Sequence, residues 1–519
     1  MLKNPILHGF KPDPSILRVD DVYYIATSTF EWFPGIKLFM SSDLANWKQL
    51  PSPLQDQLGS ELRGVDSSCG LWAPHLSYDQ GIFYLLYTIV YTDRSRFKDT
   101  WNYLVTAEDI QGPWSSPIFL NRSGWDPSFF RNGDGSLWLC NVCLDYRPDR
   151  NRFGGVRLQQ LNKADYKLFG PIHTLFKGSA AGKTEGPNLF FRDGFYYLVT
   201  AEGGTEFGHQ VTVARSSSLL GPYTVSPYNP LLTNKSGKCI QRAGHGTLFQ
   251  TSGGGWYIVY LCSVPLAEKY SVLGRETAIQ SIIWTSDGWP VLSDYPNRFP
   301  HRMVKELPSA VEQPQEEAIL FKAGKALDVR CMSLREPALA CGISIGKQDD
   351  KLFIQGGNSL SSKFHQGLLA ISLTNLACEY CTLMDFSPRH SLHGAGLVIY
   401  YNNDNYQYLC KTLDDDLVPI VCIVSVIGRQ VSLLGTISVE SARPLYLRAR
   451  IKGNDLDFYY GYTEEEAILV NPAPLEMYHL SDEEIEGNGF TGTSVGLCCQ
   501  DLNGDGVTAK FSFLKWKNL

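Results

Sequence analysis

The sequence predicts an all-β protein in which a five-bladed β-propeller is followed by a β-sandwich. Two observations predict the propeller: a short unit recurs five times in roughly the first three hundred residues, and each copy leads into an aromatic strand. A third observation predicts the sandwich, because beyond a proline-rich polar segment the strands alternate between apolar and polar residues. Helical periodicity is scarce throughout, so both parts belong to the all-β class.

The repeating unit is clearest in its third copy, Trp125-Asp126-Pro127-Ser128. A carboxylate, a proline, a short apolar run, a Gly/Asp turn and an aromatic strand follow one another, which is typical of a β-hairpin. The copies are 60, 53, 60 and 59 residues apart, a spacing that fits four-stranded blades with generous loops. The five starts are Asp13-Pro14-Ser15, Ala73-Pro74-His75, Asp126-Pro127-Ser128, Gly186-Pro187-Asn188 and His245-Gly246-Thr247.

The domain boundary is predicted where the repeat stops. Residues 307–319 lose the blade pattern and become polar and rich in proline, as linkers do. We therefore divide the chain into a propeller at residues 1–306, a linker at 307–319 and a C-terminal sandwich domain at 320–519. In the second domain Leu445, Leu447 and Ala449 alternate with polar or charged neighbours, which is typical of a strand with one buried face.

Composition excludes several classes of partner. The 46 basic and 53 acidic residues give a net charge of -7, and no basic tract of the kind that binds a phosphate backbone is present, so nucleic acid is not expected. No apolar run approaches the roughly 20 residues of a membrane span, and the N-terminus shows no signal-peptide core. Thirteen cysteines without a framework spacing indicate reduced thiols, and we expect a cytoplasmic protein.

The repeat also indicates where a functional site lies. The innermost strand of each propeller blade starts at the central channel, so starts that are in phase converge on one axial pocket. The residues delivered there are Asp13, Trp72, Asp126, Glu185 and His245. Any one aspartate is more simply explained as a turn cap. Three carboxylates in one confined pocket favour function, because unpaired buried charges are costly and like charges raise each other's pKa.

Paired carboxylates flanking one bond are what glycoside hydrolysis requires, one as acid and the other as base. Phe30, Trp32 and Trp72 could stack against sugar faces, although aromatic residues in this chain more often belong to the core. The alternative from another class is a non-catalytic sugar-binding propeller that uses the same carboxylates to bind hydroxyls. Retention of all three carboxylates argues against it, because a lectin has no use for an acid–base pair.

Five motifs in order resemble glycoside hydrolase family 43, specifically its β-xylosidases. The resemblance implies a five-bladed propeller with a concanavalin-like jelly-roll sandwich, and an inverting, exo-acting enzyme of xylan degradation. It would release D-xylose from the non-reducing ends of β-1,4-xylooligosaccharides; an α-L-arabinofuranosidase or a bifunctional enzyme is the alternative. The motifs are Gly9-Phe10-Lys11-Pro12-Asp13-Pro14-Ser15, Tyr24-Ile25-Ala26-Thr27-Ser28-Thr29-Phe30-Glu31-Trp32-Phe33-Pro34-Gly35, Leu71-Trp72-Ala73-Pro74, Trp125-Asp126-Pro127-Ser128 and Thr184-Glu185-Gly186-Pro187.

The resemblance assigns a role to each carboxylate. Asp13 matches the general base, Glu185 the general acid, and Asp126 the carboxylate that orients the acid and tunes its pKa. These roles are physically consistent, since a general acid must hold its proton near neutral pH and a neighbouring carboxylate helps it to do so.

Three further residues are implied to bind the substrate. Arg275 resembles the family's ligand of the sugar hydroxyls, although on its own it could equally form an inter-blade salt bridge. His245 resembles a histidine beneath the pocket, which in some members lies beside an axial calcium or a water; without the resemblance it reads as a hydrogen-bonded core histidine. Phe490 matches the aromatic residue by which the sandwich domain closes the pocket, while a second phenylalanine expected shortly afterwards is replaced around Thr493-Ser494.

The predicted partner is therefore a xylooligosaccharide, with neither nucleic acid nor membrane involved. No cofactor is expected to be required; the resemblance allows, but does not demand, a structural calcium near His245. The large sandwich domain offers surface enough for a homo-oligomer, either a dimer or a tetramer.

Overall fold

A computed structural model of the 519-residue chain describes residues 1–93, 95–234, 239–312, 314–440, 442–487 and 489–519. Almost all regular structure in these ranges is β-strand, which confirms the predicted class. The helices found there are three short 3₁₀ turns, at Ala338–Cys341, Met477–Leu480 and Asp482–Glu484. None of them is long and apolar enough to cross a membrane.

Five antiparallel sheets, four of four strands and one of five, form the blades of the first domain, and the innermost strand of each begins in or contains one of the predicted starts. Blade one has the order β2-β3-β5-β6, and blades two, three and five run in simple chain order; in blade four a fifth strand, β19, also pairs with β17. The strands are β1 (Leu2–Lys3), β2 (Ser15–Val19), β3 (Val22–Thr27), β4 (Trp32–Phe33), β5 (Lys37–Ser41), β6 (Lys48–Leu50), β7 (Gly70–Asp79), β8 (Ile82–Thr92), β9 (Asp99–Ala107), β10 (Ile118–Asn121), β11 (Ser128–Arg131), β12 (Leu137–Leu144), β13 (Phe153–Leu161), β14 (Leu168–Phe176), β15 (Glu185–Arg192), β16 (Phe195–Glu202), β17 (Gln210–Ser216), β18 (Thr224–Val225), β19 (Leu232–Thr233), β20 (Gln241–Gln250), β21 (Trp256–Ser263), β22 (Glu276–Trp284), β23 (Pro290–Leu292) and β24 (Met303–Val304).

The innermost strands close a ring. Strand β2 contacts β7, β7 contacts β11, β11 contacts β15, β15 contacts β20, and β20 returns to β2. The ends of the domain are joined beside the fifth blade, where β1 pairs with β24. The side chain of Asn4 supports this closure, because its Nδ2 donates to the carbonyls of Ile279 and His301.

The second domain is a sandwich of two large sheets. One has the order β27-β28-β40-β30-β35-β36-β37 with β25, β38 and β41 joined to it, and the other has the order β34-β33-β32-β31-β39-β29-β26-β4. The strands are β25 (Glu316–Leu320), β26 (Met332–Leu334), β27 (Ile343–Ile345), β28 (Leu352–Gln355), β29 (Leu368–Ser372), β30 (Ala377–Asp385), β31 (His393–Asn402), β32 (Asn405–Leu413), β33 (Pro419–Ile427), β34 (Gln430–Ser438), β35 (Leu445–Lys452), β36 (Asp455–Gly461), β37 (Ile468–Leu469), β38 (Leu475–Glu476), β39 (Ser494–Asp501), β40 (Thr508–Phe511) and β41 (Phe513–Asn518).

The junction between the domains differs from the sequence expectation in two ways. Strand β25 begins at Glu316 and pairs with β41, so the end of the segment predicted as linker already belongs to the sandwich; residue 313 of that segment lies outside the described residues. Strand β4, which lies in the first blade by sequence, pairs with β26 and thereby extends a sandwich sheet. Trp32 of β4 is buried in an apolar core that residues of both domains share, including Leu71 and Tyr400. The two domains are therefore packed through a common core.

Candidate active site

The starts of the five blades line one cavity of about 550 Å³. The structure brings together there all five residues that the repeat delivers to the axis, although they are distributed over more than two hundred positions of the chain. The sandwich domain completes the cavity with Phe490. The five predicted residues that line it are Asp13, Trp72, Asp126, Glu185 and His245.

A left-handed backbone opens every blade. This conformation turns the chain sharply into the innermost strand, and aspartate, histidine and glycine adopt it more readily than most residues. In blades one, three and five the side chain at this position lines the cavity; in blades two and four the side chain just before it, Trp72 or Glu185, lines the cavity as well. The φ angles are 53° at Asp13, 39° at Ala73, 53° at Asp126, 55° at Gly186 and 43° at His245.

Asp13 is held in its ionised form. Its Oδ1 lies 3.2 Å from His245 Nδ1 and 3.5 Å from Arg275 Nη1, and its Oδ2 accepts a hydrogen bond of 2.7 Å from the Ser28 hydroxyl. Burial alone would raise the pKa of Asp13, but the charge of Arg275 and the hydrogen bonds from His245 and Ser28 hold that pKa well below its usual range. Asp13 therefore stays ionised at lower pH than an ordinary aspartate does.

Glu185 has the opposite tendency. Burial raises the pKa of its carboxyl, and the nearby Lys98 together with a hydrogen bond from Trp125 only partly offset this. Trp125 Nε1 donates to Glu185 Oε1 over 2.9 Å, which fixes the orientation of the carboxyl group. A carboxyl with a raised pKa keeps its proton at higher pH, as a general acid must.

Asp126 lies beside Glu185 and binds the backbone next to it. Its Oδ2 accepts a hydrogen bond of 2.9 Å from the N–H of Gly186, the residue that follows Glu185. Burial raises the pKa of Asp126 to about 7; the charges of Glu185 and Asp13 add to this rise and His245 opposes it. Asp126 therefore supports the segment that carries Glu185 and shares its electrostatic environment.

The positions of Arg275 and His245 are compatible with both interpretations given to each from the sequence, a role in the pocket and a purely structural role. Arg275 pairs with Asp13 across blades five and one, and it also lines the cavity. Its Nη2 and Nε donate to the carbonyl of Phe490 over 3.0 and 3.3 Å, which connects the propeller to the sandwich. Burial lowers the pKa of His245, but its hydrogen bond with Asp13 and the charges of the three carboxylates raise it overall.

Aromatic rings form one wall of the cavity. The ring centroids of Phe30 and Trp72 are 5.5 Å apart, and those of Trp72 and Phe490 are 5.9 Å apart with an interplanar angle of 88°. Two domains therefore contribute to a single aromatic wall. Trp32, which was also expected to stack on sugar, does not line the cavity, because it packs edge-on against Tyr400 in the core shared by the domains.

Sequence reasoning missed two residues next to the candidate acid. The Lys98 ammonium lies 4.1 Å from the ring centroid of Trp125 and 4.3 Å from that of Trp72, and 3.2 Å from an oxygen of Asp93. Trp125 could have been predicted from the repeat, because it comes directly before its blade start, as Trp72 and Glu185 do in their blades. Lys98 had none, since it lies in a loop that is not part of the repeat.

The lining of the cavity also includes a buried charged cluster that was not predicted. Arg242 Nη1 lies 2.8 Å from Asp482 Oδ2, and Arg242 Nη2 lies 2.5 Å from Glu483 Oε1. Burial raises the pKa of Asp482 to about 7, although Arg242 and a hydrogen bond from Tyr401 oppose the rise. These pairs tie the fifth blade to the sandwich segment that leads to Phe490.

The axial position beneath His245 is lined by two of the three carboxylates, Asp13 and Asp126. A cavity of about 20 Å³ lies there, which is room for about one water. Of the two carboxylates that line it, Asp13 is engaged by His245 and Arg275. In the described ranges no group of three or more His, Cys, Asp and Glu residues could hold a metal ion.

One carboxyl group with a lowered pKa and one with a raised pKa share this pocket with an aromatic wall, which is the arrangement that a glycoside hydrolase requires. The sequence profile of Glycosyl hydrolases family 43 matches residues 2–290, and that of the Beta xylosidase C-terminal Concanavalin A-like domain matches residues 320–517. The chain belongs to glycosyl hydrolase family 43.

Relatives of known name match over the whole length. The chain is 39% identical to "Xylosidase/arabinosidase 43B" of Humicola insolens, over 99% of this chain and 97% of that protein. It is 37% identical to "Beta-xylosidase" of Bacillus subtilis, over 99% of each. Among solved structures, the xylan beta-1,4-xylosidase from Bacillus halodurans superposes with a TM-score of 0.95 at 41% identity and covers 100% of both chains.

Proposed function

We propose that this protein is an exo-acting, inverting β-xylosidase that releases D-xylose from the non-reducing ends of β-1,4-xylooligosaccharides. The observation that carries the proposal is the contrast in one pocket between Asp13, whose pKa is held low, and Glu185, whose pKa is raised. An inverting glycosidase needs both states at once, a base to activate water and an acid to protonate the leaving oxygen. The full-length relatives named as β-xylosidases support the choice of sugar.

The reaction proceeds by one displacement. The Asp13 carboxylate takes a proton from a water molecule while the oxygen of that water attacks the anomeric carbon. At the same time Glu185 gives its proton to the glycosidic oxygen, and the bond between this oxygen and the anomeric carbon breaks. The new carbon–oxygen bond forms on the face opposite the leaving group, so the configuration inverts. Asp13 ends protonated and Glu185 ionised, and exchange of protons with solvent restores the starting state.

The remaining polar residues position these two groups. Asp126 accepts a hydrogen bond from the Gly186 N–H. The negative charges of Asp126 and Glu185 repel each other, which favours a state in which one of the two carboxyl groups is protonated. Arg275 uses three of its donors on Phe490 and Asp13, which leaves the others of its five for sugar hydroxyls. His245 holds Asp13 from below the pocket. Asp13 and Glu185 are thus the catalytic residues of the proposal, and Asp126 is a positioning residue.

Exo action follows from the shape of the pocket. Phe30 and Trp72 line it on the propeller side, and Phe490 closes it from the sandwich domain. Apolar rings of this kind stack on the flat faces of pyranose sugars while polar groups at the edges bind hydroxyls. A pocket bounded in this way by two domains accepts the end of a chain and not its middle.

A panel of 4-nitrophenyl glycosides followed by NMR of the released sugar tests this function. We expect the β-D-xyloside to be turned over fastest, and α-D-xylose to be the first anomer detected. Initial release of β-D-xylose would contradict inversion, and an absence of turnover on every glycoside would favour the non-catalytic sugar-binding alternative.

An α-L-arabinofuranosidase activity is the second candidate. The observation that favours it is the printed name of the Humicola relative, which joins xylosidase and arabinosidase. The two sugars present similar stereochemistry at the bond that is broken, so one pocket can accept both. Comparison of kcat/KM for the 4-nitrophenyl β-D-xyloside and α-L-arabinofuranoside measures the ratio, and an arabinofuranoside value above the xyloside value would reverse the assignment.

We also propose that hydrolysis needs no dissociable cofactor, because Asp13 and Glu185 supply both proton transfers. Dialysis against EDTA is expected to leave kcat/KM unchanged. A loss that added calcium restores would overturn this part of the proposal and would support the axial calcium implied by family resemblance.

Two further expectations complete the proposal. A homo-oligomer is supported by the outermost strand of one sandwich sheet, β34, on which Val431 and Leu433 are both 66% exposed. Light scattering should give a dimer or tetramer mass, and a monomer mass would contradict it. A cytoplasmic location is supported by the thirteen cysteines, all of which are free; fractionation of cells is the test.

A further inference from the structure

Ser68 lies at the contact between the two domains and uses all three of its polar groups there. Its N–H donates to Glu31 Oε2 over 3.1 Å, and its hydroxyl accepts from the N–H of Phe490 over 3.2 Å. Its carbonyl accepts from Trp72 Nε1 over 3.1 Å. Ser68 is 2% exposed and has a left-handed backbone with φ of 64°. Such a conformation is uncommon for a residue with a Cβ and is kept only where the surroundings require it.

Two of these three partners belong to the aromatic wall of the sugar pocket. Trp72 comes from the propeller and Phe490 from the sandwich, and their rings meet edge to face at 5.9 Å. Ser68 therefore binds both sides of the place where the wall is joined. On its far side Phe490 is held by Arg275, which also pairs with Asp13. A chain of contacts thus runs from Ser68 through Phe490 and Arg275 to the candidate base.

Ser68 is itself held by the carboxyl group of Glu31, a residue whose backbone segment is bonded to both domains. Glu31 is completely buried, and its neighbour Phe30 exchanges two backbone hydrogen bonds with Leu71, of 3.0 and 2.9 Å. On the other side, the carbonyl of Glu31 accepts from the N–H of Arg335 in the sandwich over 2.8 Å. The acceptor for Ser68 is thus fixed from two directions.

We propose that Ser68 is a positioning residue that sets how closely the sandwich-domain Phe490 approaches the terminal sugar. The hydroxyl holds the Phe490 backbone at one distance from Trp72, and this distance determines the width of the pocket on its aromatic side. The proposal rests on the proposed function, since it assigns the pocket to a terminal sugar.

The neighbouring residue supplies a matched control. The Ser67 hydroxyl donates to Asn403 Oδ1 of the sandwich over 2.9 Å, so it also makes a hydrogen bond between the domains. Neither serine lines the sugar cavity, but the Ser68 hydroxyl bonds a residue of the aromatic wall, Phe490, whereas the Ser67 hydroxyl bonds Asn403, which does not line the cavity. A role in domain adhesion alone would make the two serines equivalent, whereas a role in positioning the wall belongs to Ser68.

The experiment compares Ser68→Gly and Ser68→Ala with Ser67→Ala. Glycine suits the left-handed backbone and alanine does not, so an effect shared by both variants comes from the lost hydroxyl and not from strain. For each variant we would measure kcat and KM on 4-nitrophenyl β-D-xyloside, the Kd of D-xylose by calorimetry, and Tm. We expect both Ser68 variants to raise KM and the D-xylose Kd about three- to tenfold, the effect of losing one hydrogen bond, with kcat changed less than about twofold. Ser67→Ala should leave KM and Kd unchanged.

A double-variant cycle shows whether Ser68 acts through Phe490. In a Phe490→Ala background, Ser68→Gly is expected to change neither KM nor the D-xylose Kd any further. The same increase in both backgrounds, or equal KM values for the Ser68 and Ser67 variants, would overturn the proposal.

Failure of the proposed function gives a different result. If the wild type turns over no glycoside, the function fails, and the D-xylose Kd values of the same variants decide the role of Ser68 without turnover. A wild type that neither turns over a glycoside nor binds D-xylose overturns both proposals.

Discussion

Two copies of one tripeptide, Asp13-Pro14-Ser15 and Asp126-Pro127-Ser128, open the first and third blades with the same backbone. Both aspartates have a φ of 53°, and both are 7% exposed. The pKa of Asp13 is nevertheless held well below its usual range, while that of Asp126 is raised to about 7. Identical local sequence and equal burial therefore lead to opposite shifts of the pKa.

The difference lies in what other blades bring to each carboxyl group. Asp13 faces Arg275, His245 and the Ser28 hydroxyl, which together outweigh the effect of burial. Asp126 accepts one backbone hydrogen bond from Gly186, and the like charge of Glu185 adds to its burial. Hydrogen bonds and opposite charge favour the ionised form of a carboxyl group, whereas burial and like charge disfavour it. The repeat thus specifies where a carboxyl group stands, and its neighbours specify what it can do.

The comparison is tested most severely by Asp13→Asn. An amide cannot take a proton from water, so we expect kcat on 4-nitrophenyl β-D-xyloside to fall about 10³- to 10⁴-fold, near the upper end for loss of a general base. Circular dichroism should show that the variant is folded. Residual turnover above about one tenth of the wild-type rate would show that Asp13 is not the base.

Glu185→Gln should give a loss that depends on the leaving group. A xylose leaving group needs protonation, so we expect kcat on xylobiose to fall about 10³-fold. Nitrophenolate leaves more easily without a proton, and the loss on the aryl xyloside should be clearly smaller. Equal losses on the two substrates would contradict the assignment of Glu185 as the acid.

Asp126→Asn removes the supporting carboxyl group and should have an intermediate effect, about 10- to 100-fold on kcat/KM. Glu185 must be protonated to act, so activity is lost as the pH rises through its pKa. Without the repulsion from Asp126 that pKa falls, and the alkaline limb of the pH–rate profile should move to lower pH. An unchanged alkaline limb would show that Asp126 does not act on the acid. A loss as large as that of Asp13→Asn would abolish the contrast between the two tripeptides.

Ser28→Ala should have the smallest effect. It removes one hydrogen bond to the Asp13 carboxylate, and we expect kcat/KM to fall about three- to tenfold. Asp13 must be ionised, so activity is lost as the pH falls through its pKa; losing this donor raises that pKa and should move the acid limb to higher pH. Ser41→Ala, which changes a buried serine that does not line the cavity, is the control and should leave the acid limb in place.

The repeat made much of the fold readable in advance. Hairpins are specified by residues that are close together in the chain, so the five starts could be aligned and their convergence predicted. Strand β4 could not be assigned in this way, because its partner β26 lies about three hundred positions away. Lys98 and Ser68 were not predicted either, because neither belongs to the repeating unit.

The sequence by itself determines which blade starts carry a carboxyl group. It also determines the left-handed backbone at those starts, because that conformation depends on residues that are adjacent in the chain. The pKa values of those groups are decided by the tertiary structure, because they depend on distant partners. Arg275 is one such partner, and only folding brings it near Asp13, from which it is 262 positions away. The aromatic wall depends likewise on Phe490, which reaches Ser68 across 422 positions. Charge interactions and hydrogen bonds act over a few ångströms in space, so distances set by the packing of blades and domains determine the chemistry of the pocket.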